Sequence, residues 1–149
     1  MNPFDLRSVI FAEHAQHVVL IHFPIALFIT AVAFDYVAQW TKNVALAAAA
    51  YFNLLLAAAC VVPVLASGFA AWQWALEGHR LTGILLMHLV LGCISSVLIW
   101  LVCWIHWRVR RHPPALLPGY RLSIEAFAVV LVVVTGHLGG FLSGVNGAG

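Results

Sequence analysis

The chain has 149 residues, of which 64% are hydrophobic and only 8% are charged. Its mean hydropathy is +1.01, and a water-soluble globule of this composition would lack the polar surface needed to cover itself. The few basic residues behind the formal net charge of +2 exclude a nucleic-acid-binding surface. The sequence therefore predicts an integral membrane protein in contact with lipid.

Four apolar segments, separated by short polar islands, are each long enough to cross a bilayer, which takes roughly 20 residues. We expect an all-α fold, an up-down bundle of four transmembrane helices that forms a single domain over residues 1–149. The predicted spans are residues 14–40, 44–74, 81–107 and 122–142.

The first span carries His17, His22 and Pro24 in an otherwise apolar run. Proline cannot donate a hydrogen bond to the preceding turn, so a kink is expected there. Asp35, near the end of this span, is expected to pair with Lys42 in the following turn. No basic region or small-residue cleavage site precedes the span, so we expect it to remain in the mature protein.

The second span is rich in alanine, which lets membrane helices approach closely, and the third carries His88 and ends in tryptophans typical of an interface. The three cysteines lie inside spans without paired spacing, so neither a disulfide framework nor a covalent haem attachment motif is predicted.

In the fourth span, Glu125 lies four residues after Arg121, and this spacing favours an ion pair. A proton relay to a quinone is the alternative role for Glu125.

Basic residues set the expected orientation. The turns at residues 41–43 and 108–121 hold five of the seven lysines and arginines, and Arg7 and Arg80 lie on the other side. By the positive-inside rule the five-residue side is cytoplasmic. We therefore predict a multi-pass protein of the bacterial inner membrane with both termini in the periplasm.

Six of the eight histidines map to the predicted periplasmic half. Three of them, His22, His88 and His137, are expected at a similar depth in different spans. The six are His14, His17, His22, His79, His88 and His137. Ionisable groups in a bilayer are costly and usually mark a ligand, an ion or a proton path. A single such histidine is equally well explained as a structural residue, but three at one depth indicate a binding site.

Neutral imidazoles with apolar walls and nearby glycines suit haem b, whose iron accepts two axial histidines. The first choice of axial ligands is His22 and His88, on spans that lie diagonally opposite in an up-down bundle. A second haem is possible with His17 and His137 as the second-choice pair. Arg80, at the same surface, is expected to bind haem propionates.

The blocks His22-Phe23-Pro24-Ile25-Ala26-Leu27 and Gly136-His137-Leu138-Gly139-Gly140 resemble those of a bacterial four-span membrane family catalogued as domain of unknown function 2231. Members of that family are similar to proteins fused to, or encoded beside, cytochrome c and Rieske iron–sulfur modules. The resemblance therefore implies electron transfer, without implying an enzymatic activity.

Together these features predict a haem b subunit that relays electrons between a periplasmic redox partner, such as a cytochrome c or an iron–sulfur protein, and the membrane or its quinone pool. It would be a non-catalytic part of an oxidoreductase complex. The alternative is a structural or assembly subunit whose histidines bind copper or zinc, or only pack. A solute permease is disfavoured because the sequence shows no evident internal repeat.

Overall fold

A computed structural model describes residues 13–75, 77, 78, 80–112 and 117–143, although the side chains of residues 13–15 and 75 are outside that description. The described residues form four long helices and no strand. These are α1 (Glu13–Thr41), α2 (Val44–Ala70), α3 (Gly83–Arg111) and α4 (Arg121–Leu142), with a π-helical turn, Ala71–Ala75, extending α2. Each helix is long and apolar enough to cross a membrane, which confirms the predicted all-α, four-span class.

The turn between α1 and α2 takes only two residues. Lys42 adopts a left-handed backbone conformation with φ 56°, which reverses the chain. Asn43 then caps α2, because its side-chain oxygen accepts hydrogen bonds from the backbone N–H groups of Ala45 and Leu46 at 2.9 and 3.2 Å. A capped helix start directly after the reversal holds α1 and α2 as an antiparallel pair.

The helices form a ring in chain order. Helix α1 packs against α2 and α4, and α3 packs against the same two helices, so α1 and α3 lie diagonally opposite as predicted for an up-down bundle. Phe28, Leu54, Val102 and Val132 meet in the middle of the core. Pro24 lies inside α1 and is buried, and the helix continues through it.

The buried positions of the first hairpin, α1–α2, recur 71 positions later in the second, α3–α4. In α2 the buried residues are Ala50, Leu54, Ala57 and Val61, and in α4 they are Arg121, Glu125, Ala128 and Val132. Likewise, Pro24, Phe28, Ala31 and Asp35 of α1 correspond to Ser95, Ile99, Val102 and His106 of α3. The two hairpins thus bury equivalent positions, as two halves related by an approximate twofold axis along the bundle would. This spacing is an internal repeat of the burial pattern, which was not evident from the sequence.

One end of the bundle is basic. Lys42, Arg108, Arg110 and Arg111 are exposed there, and three guanidinium groups lie over the rings of Trp104, Tyr51 and Trp107. Arg121, which was counted with this group from the sequence, is instead buried. Arg80 is exposed at the other end, and Arg7 lies outside the described residues.

Candidate functional site

Two histidines from the diagonally opposite helices meet near the end of the bundle that bears Arg80. The rings of His17 on α1 and His88 on α3 have centroids 6.4 Å apart and planes at 86° to each other. They occupy equivalent positions in the two hairpins, 71 residues apart. Two equivalent residues that contact each other lie on the twofold axis.

A hydroxyl on α2 fixes the ring of His17. The Ser67 hydroxyl donates its hydrogen to the carbonyl oxygen of Val64 at 3.0 Å, and its oxygen lies 3.0 Å from His17 Nδ1. The hydrogen bond between the Ser67 hydroxyl and His17 Nδ1 thus joins α2 to α1.

His88 is fixed in the same way without an intervening hydroxyl. Its Nδ1 lies 3.0 Å from the carbonyl oxygen of Thr135, which can only accept, so Nδ1 carries the hydrogen. Thr135 is the α4 counterpart of Val64, 71 positions later. The neutral His88 ring therefore has its lone pair on Nε2, and metal-bound histidines typically donate the other ring N–H to a carbonyl in this way.

Each ring of the pair rests on a glycine of the neighbouring helix. A Cβ atom at Gly68 would come within 3.0 Å of His17 Cε1, and one at Gly139 would come within 3.0 Å of His88 Cε1. Gly68 and Gly139 are also equivalent positions in the repeat. These two glycines let the imidazoles lie flat against the helix backbones.

The pair borders an apolar cavity of about 320 Å³ between the four helices, a volume within the range of small-molecule sites. Its walls include Pro24 of α1, Leu65 of α2, Cys93 of α3 and Gly136 of α4. Besides the histidines, its polar groups are few, chiefly the hydroxyls of α3 and α4. The site can hold an apolar ligand and offer it two nitrogen lone pairs.

The structure places the other predicted ligands elsewhere. His22 is exposed and its Nδ1 donates to the Val18 carbonyl of its own helix at 2.6 Å, so His88 meets His17 and not His22. His137 is also exposed and contacts Phe141, with ring centroids 4.9 Å apart. Arg80 is exposed, next in sequence to the cavity residue Leu81. The side chains of His14 and His79 lie outside the described part of the chain.

Sequence reasoning assigned His17 to the second-choice pair, yet a signal for its match with His88 was present. The segments His17-Val18-Val19-Leu20 and His88-Leu89-Val90-Leu91 share three of four residues at the repeat spacing. His22 was matched with His88 in depth, whereas the residue whose ring meets His88 is His17, five positions earlier. Depth along a helix also does not give the direction in which a side chain points. The duplicated His-x-Val-Leu segment, with the glycines at the same spacing, indicates which histidine faces the axis.

A second polar cluster lies in the basic half of the bundle, and its pairs differ from the predicted ones. Arg121 donates from Nε to Asp35 Oδ2 at 2.9 Å, its Nη2 lies 2.9 Å from the same oxygen, and Nη2 donates to Gln39 at 3.2 Å. The expected pairs, Asp35 with Lys42 and Arg121 with Glu125, are therefore wrong. The exposed turn keeps Lys42 in solvent, and the long guanidinium of Arg121 crosses from α4 to α1.

Glu125 pairs instead with His106 of α3. His106 Nε2 and Glu125 Oε1 are 3.0 Å apart, and the other carboxyl oxygen, Oε2, is buried without a hydrogen-bond partner among the described residues. Donor atoms of Asp35, His106 and Glu125 all lie within 4.8 Å of one another. Because these contacts join three helices, residue spacing along the chain did not reveal them.

The fold and the sites together define a four-span membrane protein with one histidine pair on its axis and a buried ionic cluster at its other end. A family model described as predicted membrane protein (DUF2231) matches residues 13–149. The chain belongs to this family, as the two sequence blocks suggested. No curated protein and no solved structure matches it.

Proposed function

We propose that the protein is a haem b-binding membrane subunit that passes electrons between a periplasmic redox partner and the membrane or its quinone pool. The observation that supports this most is the pair formed by His17 and His88 across an apolar cavity. In this proposal His17 and His88 are the two protein ligands of one haem iron.

The separation of the rings supports axial ligation. A metal ion bonds an imidazole nitrogen at about 2.0–2.1 Å, so two imidazoles on opposite sides of one ion have ring centres about 6 to 6.5 Å apart. The centroids of His17 and His88 are 6.4 Å apart. In the proposal His17 and His88 would hold the iron, and the hydrogen bonds of their Nδ1 atoms with Ser67 and Thr135 would keep the rings in place.

The walls of the cavity support a macrocycle. Haem b is apolar over most of its surface and requires helix surface with small side chains, which Gly92 and Gly136 provide here. Arg80, exposed beside the cavity residue Leu81, is placed to pair with a propionate. When bound, the haem supplies one-electron redox chemistry, and the protein residues set its position and exclude water.

The proposed topology places this site near the periplasm. The exposed arginines and Lys42 mark the opposite end as cytoplasmic under the positive-inside rule. A cytochrome c or an iron–sulfur protein is the expected partner on the periplasmic side, within a larger complex of the bacterial inner membrane.

Spectroscopy of variants tests the proposal. We expect the purified protein to give a reduced-minus-oxidised absorbance difference and a haem b pyridine haemochrome, and His17→Ala and His88→Ala each to lose both. His22→Ala and His137→Ala are matched controls, because these histidines are exposed and should retain haem. Absence of haem from protein isolated from haem-replete cells, or equal loss in all four variants, would contradict the assignment.

The alternative function is that of an assembly or structural subunit that binds copper or zinc at the same pair. Cys93, a soft sulfur ligand, lines the cavity, and thiols with imidazoles suit these metals. Metal analysis of haem-free protein distinguishes the two functions. A stoichiometric metal that is lost in His17→Ala and in Cys93→Ser supports the alternative.

A further inference from the structure

Four ionisable side chains are buried in the basic half of the bundle, far from the histidine pair. Asp35, His106, Arg121 and Glu125 are each no more than 3% exposed. Along α3, His106 lies about 27 Å from His88 at the helical rise of 1.5 Å per residue. The cluster is thus a separate site, and the proposed haem gives it no role.

The charges of this cluster do not cancel by themselves. Arg121 and Asp35 neutralise each other in an ion pair, with a hydrogen bond from Arg121 Nε to Asp35 Oδ2 at 2.9 Å. Tyr36, the other ionisable group on α1 at this level, is neutral and donates to the Leu122 carbonyl. The buried positions of α2 are all apolar. If Glu125 is ionised and His106 is neutral, one negative charge therefore remains in the core.

An uncompensated charge in the interior of a membrane protein is costly, and such a group takes up a proton or a counter-ion instead. We propose that the pair formed by Glu125 and His106 is a proton-binding site that holds one exchangeable proton. The proton resides on Glu125, and the carboxylic acid donates through Oε1 to Nε2 of neutral His106, 3.0 Å away.

The second oxygen of the carboxyl group supports this assignment. Glu125 Oε2 is buried and has no hydrogen-bond partner among the described residues. A buried acceptor without a partner costs much more on a charged group than on a neutral one. The environment of Oε2 therefore suits a carboxylic acid better than a carboxylate.

A divalent metal ion is the competing occupant, and two observations disfavour it. The donor atoms of Asp35, His106 and Glu125 all lie within 4.8 Å of one another, but the cationic guanidinium of Arg121 already pairs with Asp35 Oδ2 at 2.9 Å. Moreover, a dication would turn the net charge from −1 to +1, while a proton makes the cluster neutral.

Infrared spectroscopy of the full chain in lipid bilayers tests the proposal, which does not depend on haem. At neutral pH we expect one protonated-carboxyl C=O band that shifts after exchange into D₂O and disappears in Glu125→Gln. This isosteric variant keeps a donor for His106 Nε2 in its amide NH2 group, and Glu77→Gln, at an exposed glutamate, is the matched control and keeps the band.

Folding of each variant is checked by circular dichroism and size-exclusion chromatography. His106→Gln serves as the second variant, because it retains a hydrogen-bonding group and should shift the band without removing it. A wild-type spectrum without a band sensitive to Glu125→Gln overturns the proposal. So does stoichiometric metal in the purified protein that is lost in Glu125→Gln.

Discussion

Glycines decide how His17 and His88 are held. Gly68 and Gly139 leave little room for a Cβ atom, which would meet the Cε1 atoms of His17 and His88 at 3.0 Å. Helical alanine is more favourable than glycine by about 1 kcal/mol. A glycine at these positions therefore serves the imidazole rings and not the helix.

This contact gives a direct prediction. Gly68→Ala and Gly139→Ala are expected to displace the rings and lower haem content at least several-fold, while leaving the helices intact. Gly119→Ala is the control, because this glycine lies at the basic end of the bundle, away from the cavity, and a Cβ there would have nothing within 4 Å. Haem-to-protein ratios of purified variants check it, and wild-type ratios in both test variants would contradict it.

The pair formed by Arg121 and Asp35 gives a second prediction at this scale. Removing one partner of a buried ion pair leaves the other charge uncompensated and costs about 3–5 kcal/mol. We expect Asp35→Asn to lower the free energy of unfolding in detergent by this amount, and Asp35→Asn combined with Arg121→Met to restore much of it. Lys42→Met should have little effect on the free energy of unfolding, because Asp35 pairs with Arg121 and not with Lys42. A large loss of stability in Lys42→Met would contradict the assignment.

At the scale of elements, hydropathy predicted the four helices well because the bilayer requires their length and apolar character. The third helix continues to Arg111, beyond the predicted end at Trp107. Tryptophans and arginines are compatible with a helix that leaves the membrane, so composition alone does not mark its last residue.

The turn between α1 and α2 offers a test at this scale. Asn43→Ala removes the side-chain oxygen that accepts from two N–H groups of α2, and loss of such a cap costs about 1 kcal/mol. Asn43→Asp keeps an acceptor and should retain stability. Thermal unfolding in micelles measures both, and equal stability of Asn43→Ala and the wild type would show that the cap is unimportant.

The direction of each histidine was the part of the site that sequence reasoning did not determine. His17 and His22 are separated by about 140° around a helix, so only one can face the axis. Because Pro24 lies beside His22, the sequence favoured His22, but His17 is the residue that contacts His88. In the structure Pro24 is itself a core residue. A lipid-facing surface is apolar like the core, so hydrophobic periodicity cannot separate the two faces.

At the scale of the molecule, the twofold repeat explains both sites. It brings the equivalent positions 17 and 88 together at one end of the bundle, and the equivalent positions 35 and 106 near each other at the other end. The first two positions both carry histidine. The second two carry different side chains, Asp35 and His106. Such pairings depend on the relation between hairpins, which local spacing does not contain.

The separation of the sites predicts that they act independently. At about 27 Å and an effective dielectric constant near 20, one charge changes the energy of another by about 0.6 kcal/mol. We therefore expect Glu125→Gln to shift the haem midpoint potential by no more than about 30 mV, since 59 mV corresponds to tenfold for one electron. Redox titration measures the midpoint potential, and a shift of about 100 mV or more would contradict the independence of the two sites.

The central claim is that His17 and His88 are the two axial ligands of one haem, and electron paramagnetic resonance of the oxidised protein tests it most directly. Perpendicular imidazole planes leave two iron d orbitals nearly equal in energy, and the ring planes here are at 86°. We predict a highly anisotropic low-spin ferric signal that is absent from His17→Ala and His88→Ala and present in His22→Ala. A sample without ferric haem, or a signal that survives in His17→Ala, would contradict the claim.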